Sequence, residues 1–392
     1  ISRPAVAIAQ WGVAIGAVIM IASICIIVGF KQQVREKLYG FGGHIQIMSY
    51  SNDATAVAPL TADSALLTGL RAIPNIAHVQ QYTHKQGLIV ANDEYEGVLI
   101  KGVCSDYDLS LIESHVVEGT IPQFCDTTSS GSIVLSQSMA ERIKAKVGDK
   151  INIYFLDKGI RARKQTVAAI YNTHLTEFDN AIAFTDIYTT RSIHDWKRDE
   201  SSAIEIHISD YSLLEQTRED VTEIATDAAY RNEETLSVPT IEELNLHMFE
   251  WLSLLDQTVW LILILVVCIA AFTMISGLLI IILEKSNLIG ILKAIGAKNV
   301  SIRRIFIYYA CFVIGKGIII GNIIGLALCY LQQQFKIVAI DPEMYYMDRV
   351  PIEFSWLLLP MNIAMFLISV AALVLPSMLI STIEPTKAIK FE

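Results

Sequence analysis

Four stretches of the chain are almost free of charged side chains. Residues 4–30, 257–283 and 354–383 contain no Asp, Glu, Lys or Arg, and residues 305–335 contain only Lys316. Each stretch is long enough for a helix that crosses the hydrocarbon core of a bilayer, which takes about 20 apolar residues. The pattern therefore predicts a polytopic α-helical membrane protein with four transmembrane helices.

The segment between the first and second spans, residues 31–256, has the composition of a water-facing domain. Period-2 alternation and β-branched residues predict strands at residues 44–48, 97–103, 150–155, 165–171 and 203–209. Amphipathic periodicity predicts helices at residues 61–73, 136–146, 211–230 and 241–256. We expect a large α+β domain with two subdomains: residues 31–100 together with 200–256, and residues 101–199 inserted between them.

Two helices are predicted to carry this domain. Residues 31–39 extend the first span as a polar helix that ends at Gly40, Gly42 and Gly43, and residues 241–256 run without Gly or Pro into the second span. Two such helices could transmit force to the domain. A passive tether for a globular domain is equally consistent with the pattern.

The complete plan follows from these boundaries. It consists of span one (1–30), the outer domain (31–256), span two (257–283), a loop (284–304), span three (305–335), a second loop (336–353), span four (354–383) and a tail (384–392). The basic residues on the side of the termini are Arg3, Lys285, Lys293, Lys298, Arg303, Arg304, Lys387 and Lys390, against Lys336 and Arg349 in the opposite loop. Because basic residues favour the cytoplasmic side, both termini are predicted to be cytoplasmic.

Composition and motifs exclude several classes of protein. Hydrophobic residues make up 53% of the chain and charged residues 18%, whereas soluble domains carry about 25% charged residues. The formal net charge of −10 argues against nucleic-acid binding, which needs a basic surface. The sequence has no P-loop, H-E-x-x-H, C-x-x-C or G-x-S-x-G motif, and its eight histidines show no metal-ligand spacing. We therefore expect no catalytic residue and no metal site in this chain.

Small residues mark helix-packing faces in two of the spans. They are Gly12 and Gly16 in the first span and Gly317, Gly321 and Gly325 in the third. Such stripes let helix backbones approach closely in lipid. Lys316 lies beside the longer stripe, and a charge in hydrocarbon is costly, so we expect it to face the bundle, a polar cavity or a headgroup. A structural pairing and a direct functional role are both open for this lysine.

The loop between the second and third spans contains a short amphipathic pattern. Its apolar residues recur at i, i+3, i+4 and i+7, at Leu288, Ile291, Leu292 and Ile295, and Gly296 ends the pattern. Nothing in so short a loop would cover that face. A cytosolic partner, or the membrane surface, is the expected contact.

The run EKSNLIGILKAIGA in this loop resembles the coupling-helix loop of the MacB/FtsX-like permeases of ABC transporters. The end of the chain, LPSMLISTIEPTKAIKFE, resembles the C-terminal tail of the same family. Four segments are similar to its LolC/LolE lipoprotein-releasing branch: GFKQQV, KGVCSDYDLS, IVLSQSMAERIKAKVGDKI and YYMDRVPIEFSW. The resemblance covers nearly the whole chain. It implies four membrane helices and a large extracytoplasmic domain, in the bacterial inner membrane.

What this resemblance implies is a mechanical function. The chain would bind no cofactor itself, and a separate cytosolic ATPase dimer would hold ATP and Mg. The ATPase would dock on Leu288, Ile289, Gly290, Ile291, Leu292, Lys293, Ala294, Ile295 and Gly296. Its motion would pass along the helices, so that the complex extracts a lipoprotein from the membrane and hands it to a periplasmic carrier. A second permease subunit, identical or paralogous, would complete the complex.

The resemblance also implies cargo and carrier contacts. Acyl chains would pass between the first and second helices of the paired subunits, at Met20, Ile24, Ile27, Phe249, Leu252, Leu255 and Val259, where ordinary interhelical packing is the alternative. The carrier-binding loop of the branch corresponds in position only to residues 181–200, which show no residue-by-residue match to it. Its candidate contacts are Arg191, Trp196, Lys197 and Arg198, and a Trp196 packed onto its own domain is the alternative.

Two other functions share this membrane plan. A MacB-type permease exports drugs or confers peptide resistance, and an FtsX-type regulator controls a cell-wall hydrolase. The sequence also leaves open whether Cys104 and Cys125, the two cysteines of the outer domain, form a disulfide.

Overall fold

The structure is a computed structural model that describes residues 3–50, 57–156 and 159–378. These residues form two compact units. The first, called the helical unit, comprises residues 3–33, 250–339 and 349–378, and the second, called the sheet unit, comprises residues 34–249 and 340–348. The predicted tail at residues 384–392 and the last residues of the predicted fourth span lie outside the described residues.

The sheet unit contains both helices and strands. The described elements of the helical unit are helices. In chain order, the α-helices are α1 (Arg3–Gly42), α2 (Ser64–Arg71), α3 (Ser110–Ser114), α4 (Gln137–Arg142), α5 (Thr176–Asp179), α6 (Ile187–His194), α7 (Leu214–Asn232), α8 (Ile241–Leu244), α9 (Leu246–Glu284), α10 (Ser286–Ala294), α11 (Asn299–Phe335), α12 (Pro342–Tyr345), α13 (Leu358–Ala372) and α14 (Val374–Ser377). The strands are β1 (Ile45–Ser49), β2 (Leu60–Thr61), β3 (Ile76–Ala91), β4 (Glu94–Val103), β5 (Val116–Gly119), β6 (Ser132–Ser136), β7 (Lys150–Leu156), β8 (Ile160–Tyr171), β9 (Ile182–Asp186), β10 (Glu200–Ser201), β11 (Ala203–Ile208) and β12 (Leu236–Ser237).

The helical unit packs its helices around a large central apolar cluster. Ile24 of α1, Val266 of α9, Ile289 of α10, Ile314 of α11 and Met365 of α13 are all buried members of that cluster. Helices α1, α9 and α11 are long and apolar enough to cross a membrane. Within the predicted fourth span, α13 has 15 residues, which is shorter than those three helices.

The sheet unit is built on one mixed sheet of ten strands. Its order is β12-β1-β11-β3-β4-β9-β6-β8-β5, and β7 pairs with β3 and β8. The pairs β4–β9 and β6–β8 are parallel, and the other pairs in this sheet are antiparallel. All five predicted strands are present, and the predicted polar extension of the first span is confirmed, since α1 continues to Gly42.

The sheet does not break between the two predicted subdomains. One buried cluster, which includes Ile47, Leu66 and Val221, lies within the first predicted subdomain. A second cluster combines Ile89 and Ile100, from the ends of β3 and β4, with residues of the predicted insertion. The predicted boundary at residue 100 therefore falls inside a strand that belongs to a continuous sheet.

The prediction of one uninterrupted helix from residue 241 into the second span is wrong. Helix α8 ends at Leu244, and Asn245 leaves the helical conformation with φ −119° before α9 begins. The Asn245 amide donates to the carbonyl oxygen of Ile241 at 3.0 Å. Asparagine side chains compete in this way for backbone partners, which accounts for the interruption.

Candidate functional site

Helix α10 joins α9 to α11, and the structure divides its predicted apolar face. Leu288, Ile291 and Ile295 are 50%, 45% and 79% exposed. Leu292 is half-buried against the core of the helical unit, and Ile289 is fully buried in that core. Because Leu292 packs inward, the large apolar side chains of α10 that remain open to a partner are those of Leu288, Ile291 and its C-cap residue, Ile295.

The four remaining members of the predicted coupling segment differ in their exposure and backbone conformation. Gly290 is buried, Lys293 is half-buried and Ala294 is exposed. Gly296 has φ +94°, a left-handed conformation that suits glycine, and it follows the C-cap of α10 as predicted.

The glycine stripe of α11 lies against α1. A Cβ atom at Gly317 would be 2.9 Å from the carbonyl oxygen of Gln10, and one at Gly321 would be 2.5 Å from that of Ala14. At Gly325 the nearest atom, Cδ1 of Ile21, would be 3.1 Å away. The two backbones approach so closely that only glycine fits at the centre of this contact.

The shorter stripe of α1 faces other helices. A Cβ atom at Gly12 would collide with the side chain of Thr273 on α9. One at Gly16 would be 3.3 Å from Cε of Met365 on α13 and 3.5 Å from Cγ1 of Val266 on α9. Helix α1 therefore uses small residues on more than one side.

Lys316 does not face the interior of the helical unit. The lysine is exposed, and its Nζ lies 5.6 Å from the centre of the exposed Phe312 ring on the same helix. This corrects the first of the three expected environments, the bundle interior. The other two expected environments of this ammonium, a polar cavity or a headgroup, stay predictions.

Three of the seven candidate cargo contacts are buried in the single chain, and the other four are partly open. Met20, Ile24 and Leu252 are 1% exposed, and Ile27, Phe249, Leu255 and Val259 are half-buried. Met20 and Ile24 belong to the central cluster of the helical unit, and Val259 packs against it. Met20, Ile24 and Val259 therefore make ordinary interhelical packing contacts in this structure. Contact with acyl chains stays a prediction, and at Met20 and Ile24 it requires the helices to separate.

A pair of asparagines, missed from the sequence, joins α11 to α13. Asn322 Nδ2 donates to Asn362 Oδ1 at 2.8 Å, and Asn362 Nδ2 donates to Asn322 Oδ1 at 3.1 Å. Each amide also donates to a backbone carbonyl four residues earlier in its own helix. A search of the apolar spans for neutral amides, in addition to charged residues, would have found the pair.

Replacing Asn322 by leucine should lower the unfolding free energy of the solubilised chain by about 1 kcal/mol, the size of interhelical hydrogen bonds between membrane helices. The change leaves Asn362 without its partner across the interface. In a double-mutant cycle with Asn362→Leu, unfolding in detergent should give a coupling energy of similar size. Strictly additive effects of the two substitutions would show that the pair does not interact.

The predicted carrier-binding tip is not a protruding loop along its whole length. Arg191 is in α6 and is 8% exposed. Its guanidinium donates to the carbonyl oxygen of Glu200 at 2.8 Å and to Gln81 Oε1 at 3.1 Å. Arg191 therefore holds this segment to the sheet unit, which corrects its assignment to an exposed contact surface.

The rest of that segment is more open. Trp196 is half-buried and stacks on His194 with 4.0 Å between ring centres, so the predicted alternative, packing on its own domain, describes its position. Lys197 and Arg198 are exposed. Trp196, Arg198 and Tyr188 line part of a cavity of about 460 Å³. Carrier binding at this surface stays a prediction.

The last turns of α1 belong to the sheet unit and are held there on several sides. Lys37 Nζ donates to the carbonyl oxygens of Thr173 at 2.6 Å and Tyr346 at 2.8 Å. The Phe41 ring stacks on Phe178 with 4.9 Å between centres. The backbone N–H of Ile241, the first residue of α8, donates to the carbonyl of His44 at 3.0 Å. The end of α1 and the start of α8 therefore meet beside β1.

Four half-buried histidines are expected to make the sheet unit sensitive to acid. Burial lowers the pKa of His44 and of His84 to about 4, and it also lowers the pKa values of His174 and His207. The unfolded chain binds these protons near the ordinary histidine pKa of about 6.5. The stability that these neutral rings contribute is therefore complete above that pH and is lost as the pH falls from there toward 4.

We expect the thermal unfolding temperature of the solubilised chain, followed by the circular dichroism of its sheet, to fall between pH 7 and pH 5. Burial raises the pKa of Asp179 to about 6, which has the opposite effect, because its protonation favours the folded state in acid. Asp179→Asn should accordingly make the fall steeper. An unfolding temperature that rises toward pH 5 would contradict the assignment.

Cys104 and Cys125 are free thiols, so they form no disulfide with each other. The Cys104 thiol donates to the carbonyl oxygen of Gln81 at 3.2 Å, and burial raises its pKa to about 12. Among the described residues, no group of three or more His, Cys, Asp or Glu side chains could hold a metal ion.

Two family models together match most of the sequence. The model of the MacB-like periplasmic core domain matches residues 7–224, and that of the FtsX-like permease C-terminal domain matches residues 260–385. The first covers α1 from residue 7 onward and most of the sheet unit, and the second covers most of α9 together with α10, α11 and α13.

Similar proteins include named transmembrane proteins of two bacteria. The lipoprotein-releasing system transmembrane protein LolC of Neisseria meningitidis is 23% identical, over 97% of this chain and 92% of that protein. LolE of Haemophilus influenzae is 21% identical, over 96% of this chain and 92% of that protein. Among solved structures, the periplasmic region of MacB from Actinobacillus actinomycetemcomitans has a TM-score of 0.38 at 15% identity, covering 54% of this chain and 95% of that one.

Proposed function

We propose, from the premise that this chain belongs to the MacB/FtsX-like permeases of ABC transporters, that it extracts lipoproteins from the inner membrane and passes them to a periplasmic carrier. The observation that carries the proposal is the similarity to LolC and LolE, which extends over at least 96% of the chain. It therefore includes both the membrane helices and the outer domain, the two parts that such a function needs.

The energy would come from a separate ATPase dimer that holds ATP and Mg. Leu288, Ile291 and Ile295 support this part of the proposal, because they leave an apolar surface open on a short helix between two membrane spans. A cytosolic subunit that covered them would push on α9 and α11 directly. The chain itself would contribute positioning and movement, and no step of ATP hydrolysis.

The proposed topology places α10 in the cytoplasm and the sheet unit in the periplasm. The distribution of Lys and Arg supports it, as does the family description of the outer domain as periplasmic. Under this topology the predicted fourth span, which contains α13, returns the chain to the cytoplasm. The Asn322–Asn362 pair supports a membrane position for α13, since it joins that helix to the middle of α11.

The proposed mechanism is mechanotransmission between paired permease subunits. ATP binding would move α10, and the long helices α1 and α9 would carry that movement toward the outer domain. Because the candidate acyl-chain contacts Met20 and Ile24 are enclosed in a single chain, cargo entry would need α1 and α9 to part. The proteins that this chain resembles are named as parts of a lipoprotein-releasing system, and the proposal extends that role to it.

Affinity purification of the full chain from native membranes tests the assignment of partner and cargo. We expect an ABC ATPase, a second permease subunit and acylated proteins to be recovered together in a mild detergent. The Ile291→Glu chain should recover the acylated proteins without the ATPase. Recovery of a cell-wall hydrolase without acylated proteins would favour an FtsX-type regulator, and recovery of neither would favour a MacB-type exporter.

A further inference from the structure

A buried ion pair spans the middle of the sheet, away from every surface considered so far. Lys101 on β4 and Glu205 on β11 lie on either side of β3, with 2.7 Å between Nζ and Oε1 and side-chain exposures of 5% and 0%. The other carboxylate oxygen accepts from Tyr107 Oη at 2.6 Å and from Gln80 Nε2 at 3.0 Å. Replacing such a pair by apolar residues is often neutral for stability, so stability alone does not explain it.

The same ammonium also binds the end of helix α1. Lys101 Nζ donates to the carbonyl oxygen of Phe41 at 2.6 Å. The last carbonyls of a helix lack partners within the helix and carry the negative end of its dipole, which favours a cation. Helix α1 has no basic residue in its own last turn. Lys101 therefore supplies that cation from the sheet.

The backbone between α1 and the sheet contains two consecutive glycines. Gly42 and Gly43 connect Phe41 to β1, and Gly43 has φ +67°. Glycine restricts backbone direction less than any other residue. Lys101, by contrast, sits on a strand that pairs with β3 on one side and with β9 on the other. Lys101 thus ties the end of α1 to the centre of the sheet, in addition to the contacts of Lys37 and of the Phe41 ring.

We propose that Lys101 and Glu205 form a clamp that makes the sheet follow the movement of α1. Glu205 is a positioning residue, because it holds the Lys101 ammonium against the Phe41 carbonyl. Without the clamp, the glycine pair would absorb part of each movement of α1. The consequence for lipoprotein release rests on the proposed function, whereas the mechanical role of the clamp does not.

The test uses Lys101→Met/Glu205→Gln, which removes both charges together and keeps an amide oxygen to accept the Tyr107 hydroxyl. The connection between α1 and the sheet, called the joint, is followed in the full complex by two spin labels carried by unnatural amino acids. One label replaces Glu36 on α1, and the other replaces Tyr95 at the far end of the β3–β4 hairpin. The distance distribution should be narrow in the wild-type chain and broad in the double variant. The unfolding temperatures of the two should agree, which separates positioning from folding.

The second readout is lipoprotein released per ATP hydrolysed in vesicles that contain the whole complex. The double variant should lower this ratio by roughly fivefold, within the range of coupling energies carried by single side-chain networks. A chain with Lys101→Arg in place of Lys101→Met should recover much of the wild-type release ratio, because a cation again faces the Phe41 carbonyl. Tyr107→Phe is the matched control: it removes a hydrogen bond to Glu205 but leaves the Lys101–Phe41 contact, and its ratio should equal that of the wild type.

The outcomes distinguish the clamp from the proposed function. An unchanged distance distribution in the double variant would overturn the clamp. A broadened distribution in vesicles where even wild-type complex releases no lipoprotein would support the clamp and reject the proposed function. A broadened distribution with an unchanged release ratio would show that the joint does not transmit the movement, and would overturn the clamp as a coupling element.

Discussion

Replacing Gly321 by leucine is expected to prevent α11 from packing on α1, with a loss of roughly 3 kcal/mol or more in unfolding free energy. Even a single Cβ atom there would lie 2.5 Å from the carbonyl oxygen of Ala14 and 2.6 Å from Cβ of Ala17. Backbone atoms cannot rotate away as a flexible side chain can. The two helices would have to separate, and the central cluster of the helical unit would open with them.

Gly315 provides the matched control for this prediction. It lies on the same helix, but a Cβ atom at that position would meet nothing within 4 Å. Gly315→Leu should therefore leave the unfolding temperature of the solubilised chain near that of the wild type, while Gly321→Leu lowers it strongly or leaves only aggregated protein. Equal behaviour of the two variants would show that the stripe does not contact α1.

The second large effect is expected at α10. Ile291→Glu would place a carboxylate in the apolar surface that the ATPase is proposed to cover. An unpaired charge buried at an interface costs about 3 kcal/mol or more, which weakens association by more than roughly 100-fold. Pull-down of the ATPase with the full chain should therefore fail. Ile291 is the better position for this test than Leu292, because Leu292 packs inside the helical unit and its substitution would disturb the unit itself.

Val300→Glu is the control for this second prediction. Val300 is 57% exposed in the first turn of α11, where a carboxylate is favoured by the helix dipole. It introduces the same charge at an exposed apolar residue outside α10, and ATPase association should persist. Full association of the Ile291→Glu chain would remove α10 as the docking helix.

The parts of the fold that the sequence predicted are those with a simple repeating pattern. The apolar spans and the glycine stripe depend on spacing along one helix, so residues such as Gly317 and Gly321 could be assigned without knowing their partner. Strand β3 has no such pattern, since it carries Gln80, Thr83 and His84 in the interior of its sequence. It is central because β11 and β4 bond both of its edges. Gln80 can be buried there because its side-chain amide donates a hydrogen bond to Glu205.

The contacts between distant residues could not be predicted in this way. The Lys101–Phe41 and Asn322–Asn362 hydrogen bonds join residues 60 and 40 positions apart. Neither pair has a local sequence pattern that names its partner. The helical spacing of the apolar residues of α10 was predicted correctly. Which of these residues the rest of the helical unit covers depends on how α10 packs. That packing buries Ile289 and draws Leu292 inward.

The most direct test of lipoprotein release is reconstitution of the chain with its ATPase and partner permease in proteoliposomes. A triacylated lipoprotein is included in the membrane, and its ATP-dependent transfer to a soluble periplasmic carrier is measured, with proteoliposomes that contain the Ile291→Glu chain and the same partners as the uncoupled control. We predict transfer that requires ATP and is absent with the Ile291→Glu chain. ATP hydrolysis by the wild-type complex without lipoprotein transfer, accompanied by export of a drug or activation of a cell-wall hydrolase, would contradict the account.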